Sequence, residues 1–181
     1  MRVGRIAGLA LGALTLAPAL PLAAGPLATV SDLPDGARIV DIRAEATCGK
    51  AAPDGARCLP AEELFADDTA SPVSFHALRW LLGTIGLGGD ETVAIYPASD
   101  PRAEAVAALI YLAGQREVVL LAGAPEHTDR GESRSFSREV IFTAPMRTQA
   151  MRLDADAPPP LQQLTAFARA SSDTVAFAPD T

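Results

Sequence analysis

The segment from Glu91 to Ala113 has the layout of a nucleophile or anion site. The run Glu91-Thr-Val-Ala-Ile-Tyr96 leads into Pro97, Ala98, Ser99, Asp100, Pro101 and Arg102, and an apolar helical pattern starts at Ala103. A strand that ends in a loop against a helix N-terminus gathers backbone N–H groups and the positive end of the helix dipole around one residue. That arrangement stabilises a thiolate or a bound anion. The first loop residue, Pro97, has neither a thiol nor an N–H. Pro101 removes a second amide from the loop, and Asp100 sets a negative charge where an anion would rest. Ser99 offers a hydroxyl with no neighbouring His to act as its base. Arg102 could hold an anion weakly with its fork of donors, but its expected role is structural, in a pair with Asp100, Glu104 or Asp41. No catalytic residue is assigned to the loop.

The remaining reactive side chains are few. Cys48 and Cys58 are the only two cysteines and are expected to form a disulfide, because the chain carries an export signal. For a loop of this size the chain-entropy model gives about 2.8 kcal/mol of stabilisation. The alternative is a free Cys58 that acts as an off-motif thiol in sulfur transfer or thiol exchange. Two thiols without further Cys or nearby His complete no zinc site, so neither a metal nor a cofactor is expected. His76, within an apolar helical pattern, is expected to be a packed or surface residue, and His127, beside Glu126 and Asp129, a solvated one. Trp80 is expected to pack in the core. The neighbouring carboxylates Glu62 and Glu63, or Asp67 and Asp68, do not by their adjacency form an acid–base pair.

The first residues read as an export signal. Arg2 and Arg5 precede an apolar run from Ile6 to Leu16, Pro18 and Pro21 break it, and the small residues Ala23, Ala24 and Gly25 follow. Residues 1–24 are therefore expected to be a signal peptide, with an uncleaved anchor as the alternative. The chain is expected to be periplasmic or secreted, or else membrane-anchored with its domain outside the cytoplasm. Without Arg2 and Arg5, 13 basic residues face 22 acidic ones, a formal charge of −9. Nucleic acid and anionic lipid surfaces are poor partners for such a chain. The 181 residues, about half of them apolar, suffice for one domain with a sizeable core.

The elements around the loop alternate. Ser31 or Asp32 could cap a helical turn at 30–33, and residues 37–42 suit a buried parallel strand. Residues 44–60 read as a long loop, and 62–65 as one helical turn. A helix is predicted from Pro72, capped by Ser71, through Ile85 and ended by the glycines at 86–89. A strand at 92–96, a helix at 103–113 stopped by Gly114, and a strand at 117–121 follow. Strand and helix in alternation argue a parallel sheet with crossover helices. Residues 123–137 read as a surface loop, 138–143 as a strand, and 161–170 as a short amphipathic helix.

Taken together, residues 30–124 resemble the rhodanese family. The stretch Arg38-Ile-Val-Asp-Ile-Arg43 is similar to the family's "viDvR" strand, and Gly55-Ala-Arg-Cys-Leu-Pro60 with Glu62, Glu63 and Leu64 to its "GA.n.P..el" stretch. Residues 92–102 correspond to "vvvyC....R", with Arg102 on the loop arginine and Pro97 where the nucleophilic cysteine would stand. Ala107 to Leu112, Gly114 and Val118 to Gly123 resemble the helix, its closing glycine and the strand that follow. Two further departures are the absence of a His in 51–56 and Ala124 and Pro125 in place of the usual second glycine and aromatic residue. The resemblance implies an α/β fold, a rhodanese-like parallel sheet with flanking helices at 28–125, with a C-terminal extension at 126–181 holding one strand and one short helix. It implies a scaffold without its sulfurtransferase nucleophile. The expected role is that of a binding or accessory module whose partner is another periplasmic or membrane-complex protein.

Overall fold

The computed structural model describes residues 27–66, 71–123, 128–147, 163 and 165–170. The proposed signal at 1–24 and His127 lie outside them. The main sheet is six-stranded and parallel throughout, in the order β1-β8-β7-β2-β4-β10. Its strands are β1 (Thr29–Val30), β2 (Arg38–Asp41), β4 (Arg57–Cys58), β7 (Thr92–Tyr96), β8 (Glu117–Leu121) and β10 (Glu132–Ser133). Two small antiparallel ladders stand beside it: β3 (Ala52–Pro53) with β9 (Thr128–Asp129), and β5 (Phe65–Ala66) with β6 (Ser71–Pro72). The helices are α1 (Glu45–Cys48), α2 (Phe75–Thr84) and α3 (Ala103–Ala113), and a 3-10 turn covers Ala61–Glu63.

The three central strands β2, β7 and β8 are short, rich in Val and Ile, and buried on both faces, as the central strands of a parallel sheet must be. Ten of the eleven residues of α3 are buried, so its all-round apolar sequence is a crossover helix covered on every side. α2 packs beside it, and Leu78, Leu82 and Ile85 enter the shared core.

Several expectations are corrected. Residues 29–30 pair with β8 as an edge strand, and no helical turn forms at 30–33. α2 starts three residues later than expected, capped by the Ser74 hydroxyl, which accepts from the Ala77 amide at 3.2 Å. Ser71–Pro72 is instead held as β6, and the Val73 amide donates to the Leu64 carbonyl, so the chain stays extended until the nearer serine. The stretch 44–60 contains α1, β3 and β4, and the polar loop after residue 123 contains β9 and β10. Trp80 is 40% exposed, because the stripe of Leu78, Leu82 and Ile85 faces the core and turns it outward.

The largest correction concerns 138–143, which is not a strand. Residues 135–147 form a strap across the C-terminal ends of α2 and α3. The Ser135 amide donates to Thr84 O, Glu139 and Val140 amides donate to Gly83 O, Thr143 donates to Gly88 O, and Arg147 donates to Leu112 O. The last carbonyls of a helix have no partner within it, and these amides supply one. Gly83 allows the crossing, since a Cβ there would lie 2.5 Å from Val140 O. Residues 163 and 165–170 are helical, within the segment where a helix was expected. Ala168 is buried in the main core beside Phe167, and Arg169 pairs with Glu104 at 3.2 Å.

Candidate functional site

The loop 97–102 joins the end of β7 to the start of α3, as the sequence indicates. The peptide between Tyr96 and Pro97 is cis. Pro97 and Pro101 have no amide hydrogen. The Ala98 amide donates to Leu121 O at 2.9 Å and the Asp100 amide to Pro97 O at 3.1 Å, while the Arg102 amide donates to Asp100 Oδ1 at 2.9 Å. The first amide of α3, on Ala103, donates to Asp100 O at 2.9 Å. Of the loop's own amides, Ser99 alone is not committed within the described residues.

Asp100 and Arg102 complete the loop. Arg102 donates through Nε and an Nη to the two carboxylate oxygens of Asp100, both at 3.2 Å. Burial pushes the Asp100 carboxyl up, but the side-chain and amide hydrogen bonds from Arg102 outweigh it and hold its pKa below the ordinary carboxylate range. The same hydrogen bond raises Arg102, with Glu62 adding to the effect. The guanidinium is thus neutralised inside the loop by the first of the partners expected for it. Asp41 takes Arg43 instead, in a fork with contacts from 2.5 to 3.1 Å, and Glu104 takes Arg169. Arg43 also lies over the Tyr96 ring at 5.2 Å and donates to Ala51 O.

Cys48 and Cys58 are bonded in a disulfide with Cα atoms 5.9 Å apart, and both are fully buried. Asp41 sits opposite both Tyr96 and Cys58 in register, so Cys58 lies two strands, about 10 Å, from the end of β7. Cys58 is therefore neither free nor at the loop. Gly131 covers the bridge: a Cβ at this position would overlap Cys48 Sγ and stand 2.7 Å from Cys58 Sγ, and its amide donates to Cys48 O. No cluster of metal-ligating side chains occurs among the described residues, nor does any helix there suffice to cross a membrane. His76 is exposed on α2, and Glu62, on the 3-10 turn, lies close enough to the loop to add to the charge that raises Arg102.

One feature escaped the sequence. A groove of about 410 Å³ opens between α2 and the strap, lined by Phe75, His76, Arg79, Trp80, Arg138, Phe142 and Met146. Its trace in the sequence is the apolar richness of 136–146, with Phe136, Val140, Ile141, Phe142 and Met146.

Among solved structures, the chain is similar to the crystal structure of YnjE, with a TM-score of 0.52 and 24% identity over 64% of this chain and 30% of that one. It is also similar to the crystal structure of a probable thiosulfate sulfurtransferase, with a TM-score of 0.42 and 27% identity over 64% of this chain and 51% of that one. The chain thus spans about a third and a half of the lengths of these proteins. No protein-family model and no curated protein matches the sequence. The likeness is one of fold: a mixed α/β, rhodanese-like domain with a six-stranded parallel sheet flanked by helices.

Proposed function

We propose that this chain is a rhodanese-like domain without sulfur-transfer activity that serves as an exported binding or accessory module. Pro97 stands where the sulfur-carrying cysteine of an active relative would be. The observation that carries this reading is the state of the loop amides. Two are absent at Pro97 and Pro101, and those of Ala98, Asp100 and Arg102 are spent inside the protein. A persulfide needs a thiolate and a cradle of free N–H groups, and the loop offers neither. A new cysteine at position 97 would lack that cradle, and Asp100 would oppose the anion.

The module acts in the periplasm or as a secreted protein, or at the membrane if residues 1–24 are retained, and its partner is another protein there. Two measurements test the reading. Thiosulfate-to-cyanide sulfur transfer by the full chain should stay at background, and Pro97→Cys should not raise it. Transfer by the natural chain that disappears in Cys58→Ser would overturn the inactive reading. Co-purification of the tagged chain from its own cell envelope, followed by mass spectrometry, should recover a stoichiometric partner. Recovery of the chain alone would overturn the module reading.

A further inference from the structure

Six large apolar side chains stand exposed among the described residues, and five belong to α2 or to the strap that crosses it: Trp80, Phe136, Val140, Ile141 and Met146. Leu33 is the sixth. Clustered exposed apolar residues mark interaction surfaces, whereas scattered ones need no explanation. Here the cluster borders the groove of about 410 Å³, in which Phe75, Trp80, Phe142 and Met146 supply apolar wall.

The polar wall of the groove is basic. His76, Arg79 and Arg138 line it, and among the described residues no carboxylate does, in a chain with 22 acidic and 15 basic residues. Arg43, Arg57, Arg102, Arg134 and Arg169 each pair with a carboxylate, but among the described residues Arg79 and Arg138 have none within ion-pair distance. Arg79 is nevertheless held in place, since it donates to Phe142 O at 3.0 Å and its guanidinium lies 5.4 Å from the centre of the Phe142 ring. The stem of Arg138 rests against Gly83. A positive groove with low-dielectric walls on an acidic protein selects an anionic occupant, because the surrounding surface repels one. Arginine and tryptophan side by side are also the side chains in which binding energy concentrates at protein interfaces.

We propose that the groove between α2 and the strap docks a segment of a partner protein that carries acidic residues beside an aromatic or branched apolar side chain. This inference rests on the module reading above and locates its binding surface away from the loop 97–102. The occupant is a polypeptide because the apolar surface continues past the groove, along Val140 and Ile141, farther than a small ligand would cover. Its apolar side chain would enter between Trp80 and Met146, and its carboxylates would meet Arg79 and Arg138.

Selection of a random peptide library on the immobilised full chain tests this, and Trp80, the sole tryptophan of the chain, reports occupancy through its fluorescence. Enriched peptides should combine Asp or Glu with an aromatic or branched residue and shift Trp80 emission on titration. Arg138→Glu together with His76→Glu should weaken them tenfold or more. His76→Glu alone, at an exposed position of α2, should weaken them in the same direction even if Arg138→Glu loosens the strap. The inference is overturned if no peptide is enriched, if the enriched peptides lack acidic residues, if they leave Trp80 unchanged, or if they bind the charge-reversed chain equally well. The double variant should also lose the partner in the co-purification above. A partner retained there sinks this surface and leaves the module reading standing, while a natural chain that recovers no partner sinks the module reading itself.

Discussion

The two ends of the parallel sheet solve the same problem by opposite means. Where the strands begin, the spent ends of α2 and α3 are closed by backbone from elsewhere in the chain, with the strap's amides on Gly83, Thr84, Gly88 and Leu112 carbonyls. Where the strands end, the loop 97–102 closes on itself, with Asp100 and Arg102 answering each other and its amides turned inward. The first end depends on close backbone approach at Gly83 and Gly114, with the Arg57–Glu139 ion pair beside it. The second depends on the Asp100–Arg102 pair and, two strands away, on a disulfide, with close glycine approaches of its own at Gly123 and Gly131. The loop end is the self-satisfied one, and the strap presents most of the exposed large apolar side chains among the described residues.

Breaking the strap end at Gly114 should have the largest effect. Gly114 has φ +124°, and a Cβ there would stand 2.6 Å from Pro145 O and 2.9 Å from Ala144 O. Gly114→Ala combines an unfavourable backbone conformation with a clash against backbone, and should cost about 3 kcal/mol in denaturant unfolding. A loss under about 1 kcal/mol would mean that the strap is loosely seated and that the contrast between the ends is overdrawn.

At the other end, Cys48→Ser with Cys58→Ser should cost roughly 2–3 kcal/mol, and a reductant should lower the stability of the natural chain by a similar amount. Because Gly131 and the β9–β10 segment lie over the bridge, proteolysis after reduction should begin near residues 128–133. Cleavage that starts in the strap instead would reverse the assignment of the weaker end. A smaller effect is expected from Arg147→Ala. Arg147 donates to Tyr111 O at 2.6 Å and Gln115 O at 2.8 Å and lies 4.1 Å from the centre of the Tyr111 ring, so a cation sits at the negative end of α3. Its loss should cost about 1–2 kcal/mol and leave the reduced and oxidised forms equally affected.

The same contrast explains what the sequence made legible. β7, α3 and β8 carry their limits in local pattern, since a β-branched run, an all-apolar helix and a closing Gly114 each report their own surroundings. The pairing of Asp100 with Arg102 and the bridge between Cys48 and Cys58 follow from few residues with few possible partners. The strap escaped because Arg138-Glu-Val-Ile-Phe-Thr143 has strand composition, and composition does not say whether an amide will meet a strand or the bare carbonyls of a helix end. Trp80 was misplaced for a related reason: α2 is apolar at most positions, so its sequence did not mark which stripe would face inward. Two-residue strands such as β4 and β10 have no pattern to detect.

Besides Glu139 of the strap, lowered by hydrogen bonds from Ser135 and Arg57, each end holds one carboxylate with a lowered pKa, and these give the smallest predicted effect. At the loop end it is Asp100. At the strap end it is Glu91: burial raises it, but the amides of its own residue, Gly88 and Gly89, and the Gln115 side chain, overcome that and bring it below its ordinary value. A carboxyl group with a lower pKa folded than unfolded stabilises the fold fully above its unfolded pKa, about 4, and loses that contribution as pH falls through the folded value. Glu91→Gln and Asp100→Asn should therefore both be less stable than the natural chain at neutral pH, and both differences should shrink as the pH drops below about 4. The ends should separate with salt. Asp100 leans on a half-exposed arginine and should weaken as ionic strength rises, whereas Glu91 leans on backbone amides and should not. Equal salt sensitivity in urea unfolding at neutral pH would show that charge pairing matters no more at the loop than at the strap.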